Sequence, residues 1–209
     1  MGTRTKGRTA PANGRAAPGR GRRPDGEGGG ARQAILDRAV DLASSEGLEG
    51  LTIGRLAAEL GMSKSGLFGH FGSKEDLQLA TIEEASRRFV GEVVEPALRE
   101  PDGAPRLRAL TDRYLDYVER QVFPGGCFFA AASTEFDDRP GAVQERLRGA
   151  IGAWLAELER QAGLAGVADP KLLAFELYAL VLGANSNYRL FGDAGAFDRA
   201  RRAIDGLLP

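Results

Sequence analysis

The side chains best suited to chemistry crowd into one short stretch of this chain. Ser63, Lys64, Ser65, His70 and Lys74 all fall there, and the sequence holds one histidine and one cysteine, Cys127. One imidazole and one thiol far apart in sequence supply neither a nucleophile–base pair nor a metal-ligand cluster. No catalytic residue, metal or cofactor is therefore expected. Hydroxyl and ammonium groups this close together suit nucleic acid instead. Lys64 matches the guanine O6 and N7 acceptors, and the two serine hydroxyls can meet several base edges. Lys74, at the start of a helix, suits a phosphate. His70 has two readings, DNA contact or simple packing.

Residues 47–77 must position these groups. Ile53, Leu56, Ala57 and Leu60 recur at i, i+3, i+4 and i+7, which predicts a helix over 52–60 with one buried face. Gly61 ends it, because glycine enters a left-handed turn without a Cβ penalty. Ser63 is placed to cap the next helix. Leu67 and Phe71 form its inward face; Lys64, Ser65, Phe68 and His70 form its outward face. Ser63, Lys64, Ser65 and Gly66, on its N-terminal half, are the candidate base readers. Ser73, with Asp76 three residues on, reads as a capping box opening a further helix. Two short helices about a tight turn, the second with an exposed polar N-terminal end, have the helix-turn-helix geometry that fills a major groove.

The segment LTIGRLAAELGMSKSGLFGHFGSKEDL also resembles the N-terminal signature of the TetR-type (TetR/AcrR-like) transcriptional regulators. Leu51, Thr52, Ile53, the run from Ala57 to Gly61, Ser63, Lys64, Leu67, Phe68, His70, Phe71 and the run from Ser73 to Glu75 carry the resemblance. It implies that Thr52, Phe68, His70 and Lys74 lie against the sugar-phosphate backbone. Three positions depart from the family pattern. Phe68 stands where a tyrosine often bonds a phosphate, and Gly54 and Gly69 stand where larger side chains are common. A glycine inside a helix costs about 0.5–1 kcal/mol relative to alanine, so Gly66 and Gly69 weaken this helix. Either the backbone approaches DNA closely there or tertiary packing carries it.

Charge is unevenly spread. Residues 1–30 carry seven basic and two acidic groups, a net +5, while the rest of the chain is net −6. This Gly- and Pro-rich arm cannot form a core and is expected to be disordered. It reads either as an arm that neutralises phosphates or enters a minor groove, or as a solubilising extension. Residues 31–80 hold five basic against seven acidic residues, a poor balance for gripping DNA. The arm is therefore expected to make up phosphate contacts, so that deleting residues 1–28 weakens binding and flattens its salt dependence.

The remainder reads as helices: about 32–46, 74 toward Arg99 with a kink or early end at Pro96, 107–122, 127–136, 138–161, 171–190 and 195–208. Asp169–Pro170 is a clean helix start. No strand alternation and no internal repeat is present, so the fold class is all-α. The expected organisation is a disordered basic arm over 1–30, a helix-turn-helix DNA-binding domain over 31–78, and a helical effector-binding and dimerisation domain over 79–209. No apolar run reaches the roughly 18 residues of a membrane span, and the basic N-terminus is followed by no apolar signal region. With no disulfide possible, a cytoplasmic protein is expected.

Helix 171–190 is apolar nearly all round and is expected to be buried on two sides. The resemblance favours it, packed with helix 195–208, as a homodimer interface. The resemblance also implies a small-molecule effector in the middle helices, with Tyr114, Tyr117, Phe128, Phe129, Trp154, Phe175, Tyr178 and Asn185 as candidate ligand contacts, although from their types alone the aromatics read equally as plain core. Asn185 and Asn187, polar in an apolar helix, suit either a ligand or the dimer interface. Cys127 follows Gly125–Gly126 at a helix start and reads either as a redox or electrophile sensor or as a small buried hydrophobe. The expected function is a DNA-binding regulator, a ligand-responsive repressor binding a palindromic double-stranded operator as a homodimer. The alternatives are an architectural DNA-binding protein without effector and a helical enzyme or ligand carrier.

Overall fold

A computed structural model describes Gly2 and residues 25–209, with only the backbone described over residues 25–29. The basic arm, and with it the expectations of disorder and DNA contact, otherwise lies outside the described residues up to residue 24. Its last residues are helical, because α1 spans Asp25–Glu46 and so begins well before Arg32. Adding a turn to a formed helix costs far less than nucleating one.

The helix-turn-helix follows. In α2, Ile53–Glu59, Thr52 Oγ1 accepts a hydrogen bond from Arg55 N at 3.1 Å. Gly61 makes the turn at φ +62°. In α3, Lys64–Phe68, Ser63 Oγ accepts from Gly66 N at 3.1 Å. This helix is shorter than its sequence pattern suggests. It ends at Phe68, and Phe71 reaches the core from the loop beyond. Leu67 and Phe71 are both buried, as the inward face requires.

Helix α4, Lys74–Phe89, starts on Ser73. The Ser73 hydroxyl accepts from Asp76 N at 3.0 Å and donates to the Asp76 carboxylate at 2.7 Å. The acid thus meets the serine side chain rather than its backbone amide, and half of the expected capping box is replaced. The helix widens into a π-helical turn, Val90–Val94, and ends in a last α turn, α5, Glu95–Ala97. Proline has no N–H for the carbonyl one turn back, and a π turn is a common way to accommodate such a defect. The kink expected at Pro96 is therefore displaced one turn earlier.

Helix α6, Ala104–Glu119, also begins earlier than the sequence suggests, with Pro105 in its first turn where a missing N–H costs nothing. Helices α7 (Phe128–Phe136), α8 (Ala142–Leu164), α9 (Pro170–Phe191) and α10 (Gly195–Leu207) complete the chain. Asp169 caps α9, accepting from Leu172 N at 2.9 Å, and Gly192 closes it at φ +69°. The described residues contain no strand, and none of their helices is long and apolar enough to cross a membrane.

Helix α4 ties the two halves together by packing on both α1 and α8. Arg88 on α4 reaches Asp37 at 2.8 Å and Asp41 at 3.2 Å, both on α1, and lies over the Phe123 ring. The expectation that α9 is buried on both sides is corrected within this chain. Leu173, Ala174, Leu177, Val181 and Ala184 are buried, whereas Leu172, Phe175, Ala179, Gly183 and Leu190 form an exposed apolar stripe on the opposite face.

Candidate nucleic-acid interface and effector cavity

Local capping builds the candidate reading end. Because Ser63 and Thr52 spend their oxygens on helix N–H groups, the first turns of α2 and α3 are held outward. Ser63, Lys64, Ser65, Gly66 and Phe68 are all exposed, Phe68 by 53%. Gly66 has a local purpose, since a Cβ there would lie 3.0 Å from Ser63 Oγ and crowd the cap. Gly54 has another. A Cβ on it would lie 3.2 Å from Lys64 Cε, so the bare backbone of α2 leaves room for the Lys64 side chain. His70 is half-buried beside Phe71, with ring centroids 6.3 Å apart.

The cations of this half are mostly spoken for. Arg38 pairs with Glu59 at 2.7 Å, and Arg55 pairs with Glu46 at 2.9 Å and Glu59 at 3.0 Å. Lys74 pairs with Glu49 at 3.0 Å. Lys64 has no ion-pair partner among the described residues. The hydrogen bond from Lys74 holds the Glu49 carboxyl below its ordinary range, and that from Arg38 does the same for Glu59. These acids are charged at neutral pH, and each offsets a cation that would otherwise face a polyanion alone. Sequence reasoning counted the charges but could not see the pairing.

The second candidate site is a cavity of about 300 Å³ between α4, α6, α7, α8 and α9. Tyr114, Phe129, Trp154 and Tyr178 line it, four of the eight residues expected to meet a ligand. The other four stand elsewhere. Tyr117 and Phe128 are buried in the core behind the wall, and Phe175 is 65% exposed on the outer face of α9. Asn185 accepts a hydrogen bond from Cys127 N at 3.2 Å and so braces the start of α7. Asn187 donates to Gly183 O on its own helix at 2.9 Å. An aromatic content tells that a region is apolar, not which way each ring faces.

Sequence reasoning missed the centre of the site. The Phe89 ring meets Trp154 at 5.0 Å, Tyr114 at 5.3 Å, Tyr117 at 5.4 Å and Phe129 at 6.0 Å, each nearly edge-to-face. Val90 and Val94, from the π turn, complete that side of the wall. The available signal was Pro96, which predicts a disturbed helix there but not that the disturbance faces a cavity. Burial pushes the Tyr178 phenol up to about 12 and raises that of Tyr114 well above its ordinary value, so both stay neutral. Cys127 is buried, 3.2 Å from the Tyr114 hydroxyl, and burial pushes its thiol up. That makes it a poor nucleophile at neutral pH. The described residues hold no group of three or more His, Cys, Asp or Glu able to bind a metal.

Comparison with known proteins assigns both halves. Residues 35–81 match the model described as bacterial regulatory proteins, tetR family, and residues 103–204 match that of the tetracyclin repressor-like C-terminal domain. The HTH-type transcriptional repressor AcnR of Corynebacterium glutamicum is 40% identical over 70 residues, which cover 34% of this chain and 37% of that relative. The nucleoid occlusion factor SlmA of Vibrio cholerae is 26% identical over 164 residues, 75% of this chain and 83% of the relative. The crystal structure of a TetR transcriptional regulator from Chloroflexus aurantiacus aligns with a TM-score of 0.74 at 26% identity, covering 86% of this chain and 94% of that one.

Proposed function

The chain belongs to the TetR family of DNA-binding transcriptional regulators, and on that premise we propose that it is a repressor whose grip on an operator is released by an apolar small molecule. The helix-turn-helix unit of residues 31–78 reads the operator, with Lys64, Ser63, Ser65 and Gly66 at the bases and Thr52, Phe68, His70 and Lys74 at the backbone. Residues 79–209 carry the effector cavity and the dimer contact. One observation supports the effector reading above all others: an aromatic cavity of about 300 Å³ opens against α4, the helix that begins at Lys74. Its lining suits an apolar body. The buried Trp154 indole N–H and Tyr117 hydroxyl have no hydrogen-bond partner among the described residues. An unmet buried donor costs about 1–3 kcal/mol.

A homodimer is supported by the exposed stripe on α9. From Leu172 to Leu190 it runs roughly 27 Å along the helix, and Phe175, 65% exposed, stands near one end of it. A self-complementary helical face of this kind suits a two-fold contact. Two such copies would present two reading helices to a near-palindrome about one helical turn apart. For the effector to act it must bind the DNA-free and DNA-bound forms unequally.

Trp154 is the only tryptophan, so its emission reports on the cavity. The deciding experiment titrates full-length protein with 1-naphthol while following Trp154 emission, and in parallel follows a gel shift on the DNA upstream of its own gene. Saturable quenching that coincides with release of DNA is expected. Quenching with no loss of DNA binding favours the architectural reading. A protein that sediments as a monomer when DNA-bound overturns the dimer.

A further inference from the structure

The turn between α1 and α2 is held from the other half of the molecule. Glu135, at the C-terminal end of α7, accepts hydrogen bonds from two consecutive backbone amides. Leu48 N donates to Oε1 at 3.0 Å and Glu49 N to Oε2 at 2.7 Å. Gly47 makes the room: its φ is +93°, and a Cβ there would lie 2.8 Å from Glu135 Oε1. Glu49 in turn grips the start of α4. Its Oε1 takes the Lys74 ammonium at 3.0 Å, while its Oε2 lies 3.4 Å from Gln78 Nε2 and 3.5 Å from Arg139 Nη1. Gln78 also donates to the Leu48 carbonyl at 3.0 Å. One residue, Glu49, therefore joins the α7 carboxylate to Lys74, through its amide on one side and its side chain on the other.

The same helix reaches the cavity. Phe129 walls it and Glu135 lies six residues on, about 9 Å along the helix. We propose that Glu135 is a positioning residue for DNA binding: by fixing the α1–α2 turn it places Glu49 and, through it, Lys74, so that a shift of α7 at the cavity changes how Lys74 meets a phosphate. Two charge-assisted bonds to adjacent amides fix the direction of the turn as well as its distance. A neutral side chain would hold it less firmly. The inference rests on the reading of Lys74 as a phosphate contact, and its test separates the two.

The test uses full-length protein and a short DNA duplex of random sequence, because phosphate binding does not depend on base identity. Lys74→Ala is expected to lower the slope of log affinity against log salt by about 0.9, the value of one phosphate. Glu135→Gln is expected to lower it by a similar amount, and the double variant to lower it no further. Amide exchange at Leu48 and Glu49 should rise about tenfold in Glu135→Gln, as expected for weakened bonds to a charged acceptor. Glu135→Asp, which keeps the charge but shortens the reach, is the milder variant should Glu135→Gln fail to fold, and it should move the slope in the same direction. If Lys74→Ala leaves the slope unchanged, the phosphate reading of Lys74 fails. If Lys74→Ala lowers it while both Glu135 variants keep the wild-type slope, Glu135 only supports the fold and the positioning role is overturned.

Discussion

The two working regions of this protein are built on opposite principles. The reading end is small, exposed and polar, and short-range contacts set its shape: Thr52 and Ser63 cap the helices they precede, and Gly61 turns the chain between them. The cavity end is buried and apolar. Its wall draws Phe89, Tyr114, Phe129, Trp154 and Tyr178 from five helices scattered through the chain. The reading end can be altered one side chain at a time, whereas the cavity shares its rings with the core. The lesson is that recognition by charge and recognition by shape place different demands on a sequence. A hydrogen-bonding surface tolerates weak local structure, while a cavity has to be framed by rigid packing.

The junction between the regions offers the largest effect. A methyl on Gly125 would overlap the Ser44 carbonyl oxygen, where backbone meets backbone and neither has a flexible end to yield. Gly125→Ala should therefore cost about 3–5 kcal/mol of stability in a denaturant titration. A loss under about 1 kcal/mol would mean the halves are less tightly joined than their packing implies. Phe89→Ala comes next, also at about 3–5 kcal/mol, since it removes the ring that four others face. It should shift Trp154 emission as well. If affinity for DNA falls just as far as stability, the two regions are not separable in the way described.

Smaller effects belong to the reading end. Ser63→Ala removes one cap and should cost about 1 kcal/mol, with faster amide exchange in α3 and little change around the cavity. Lys64→Ala should leave stability within about 0.5 kcal/mol and weaken operator binding by about 1–3 kcal/mol. An equal loss on random-sequence DNA would move Lys64 from base reader to phosphate contact. Acid should act on the same end. The Glu49 and Glu59 carboxyls are held low by their cation partners, so the stability they lend is present above the ordinary carboxylate range and lost as pH falls below it, through their lowered values. A thermal midpoint unmoved between neutrality and a pH well below that range would show that these surface pairs contribute nothing, as many exposed pairs do.

Much of the reading end was legible before any coordinates. Caps, a turn glycine and a one-face apolar period act over a few residues, so Gly61, Ser63 and Leu67 stand where their pattern puts them. The extent of α3 was not legible, because Gly69 ends it before the apolar period does. At the cavity, half of the expected contacts line the wall and half do not. The reason is rotational: an aromatic residue in an apolar helix has a buried side and a neighbour, and the neighbour decides which helix it meets. Phe175 points away from the core on α9, and Tyr117 turns behind Phe89 instead of into the cavity.

By itself the sequence determined the helical class, the reading motif and the apolar character of the last helices, since those follow from side-chain spacing and local hydrogen bonds. Only the tertiary structure decided which cations are neutralised, which rings frame a cavity and where the halves touch. In the sequence Arg38, Arg55 and Lys74 are simply cations; in the fold Glu59, Glu46 and Glu49 lie within about 3 Å of them. Glu135 lies 86 positions from the amide of Glu49 that it holds. An interaction across that span leaves no periodic trace in the sequence, because its geometry exists only once the helices between have packed.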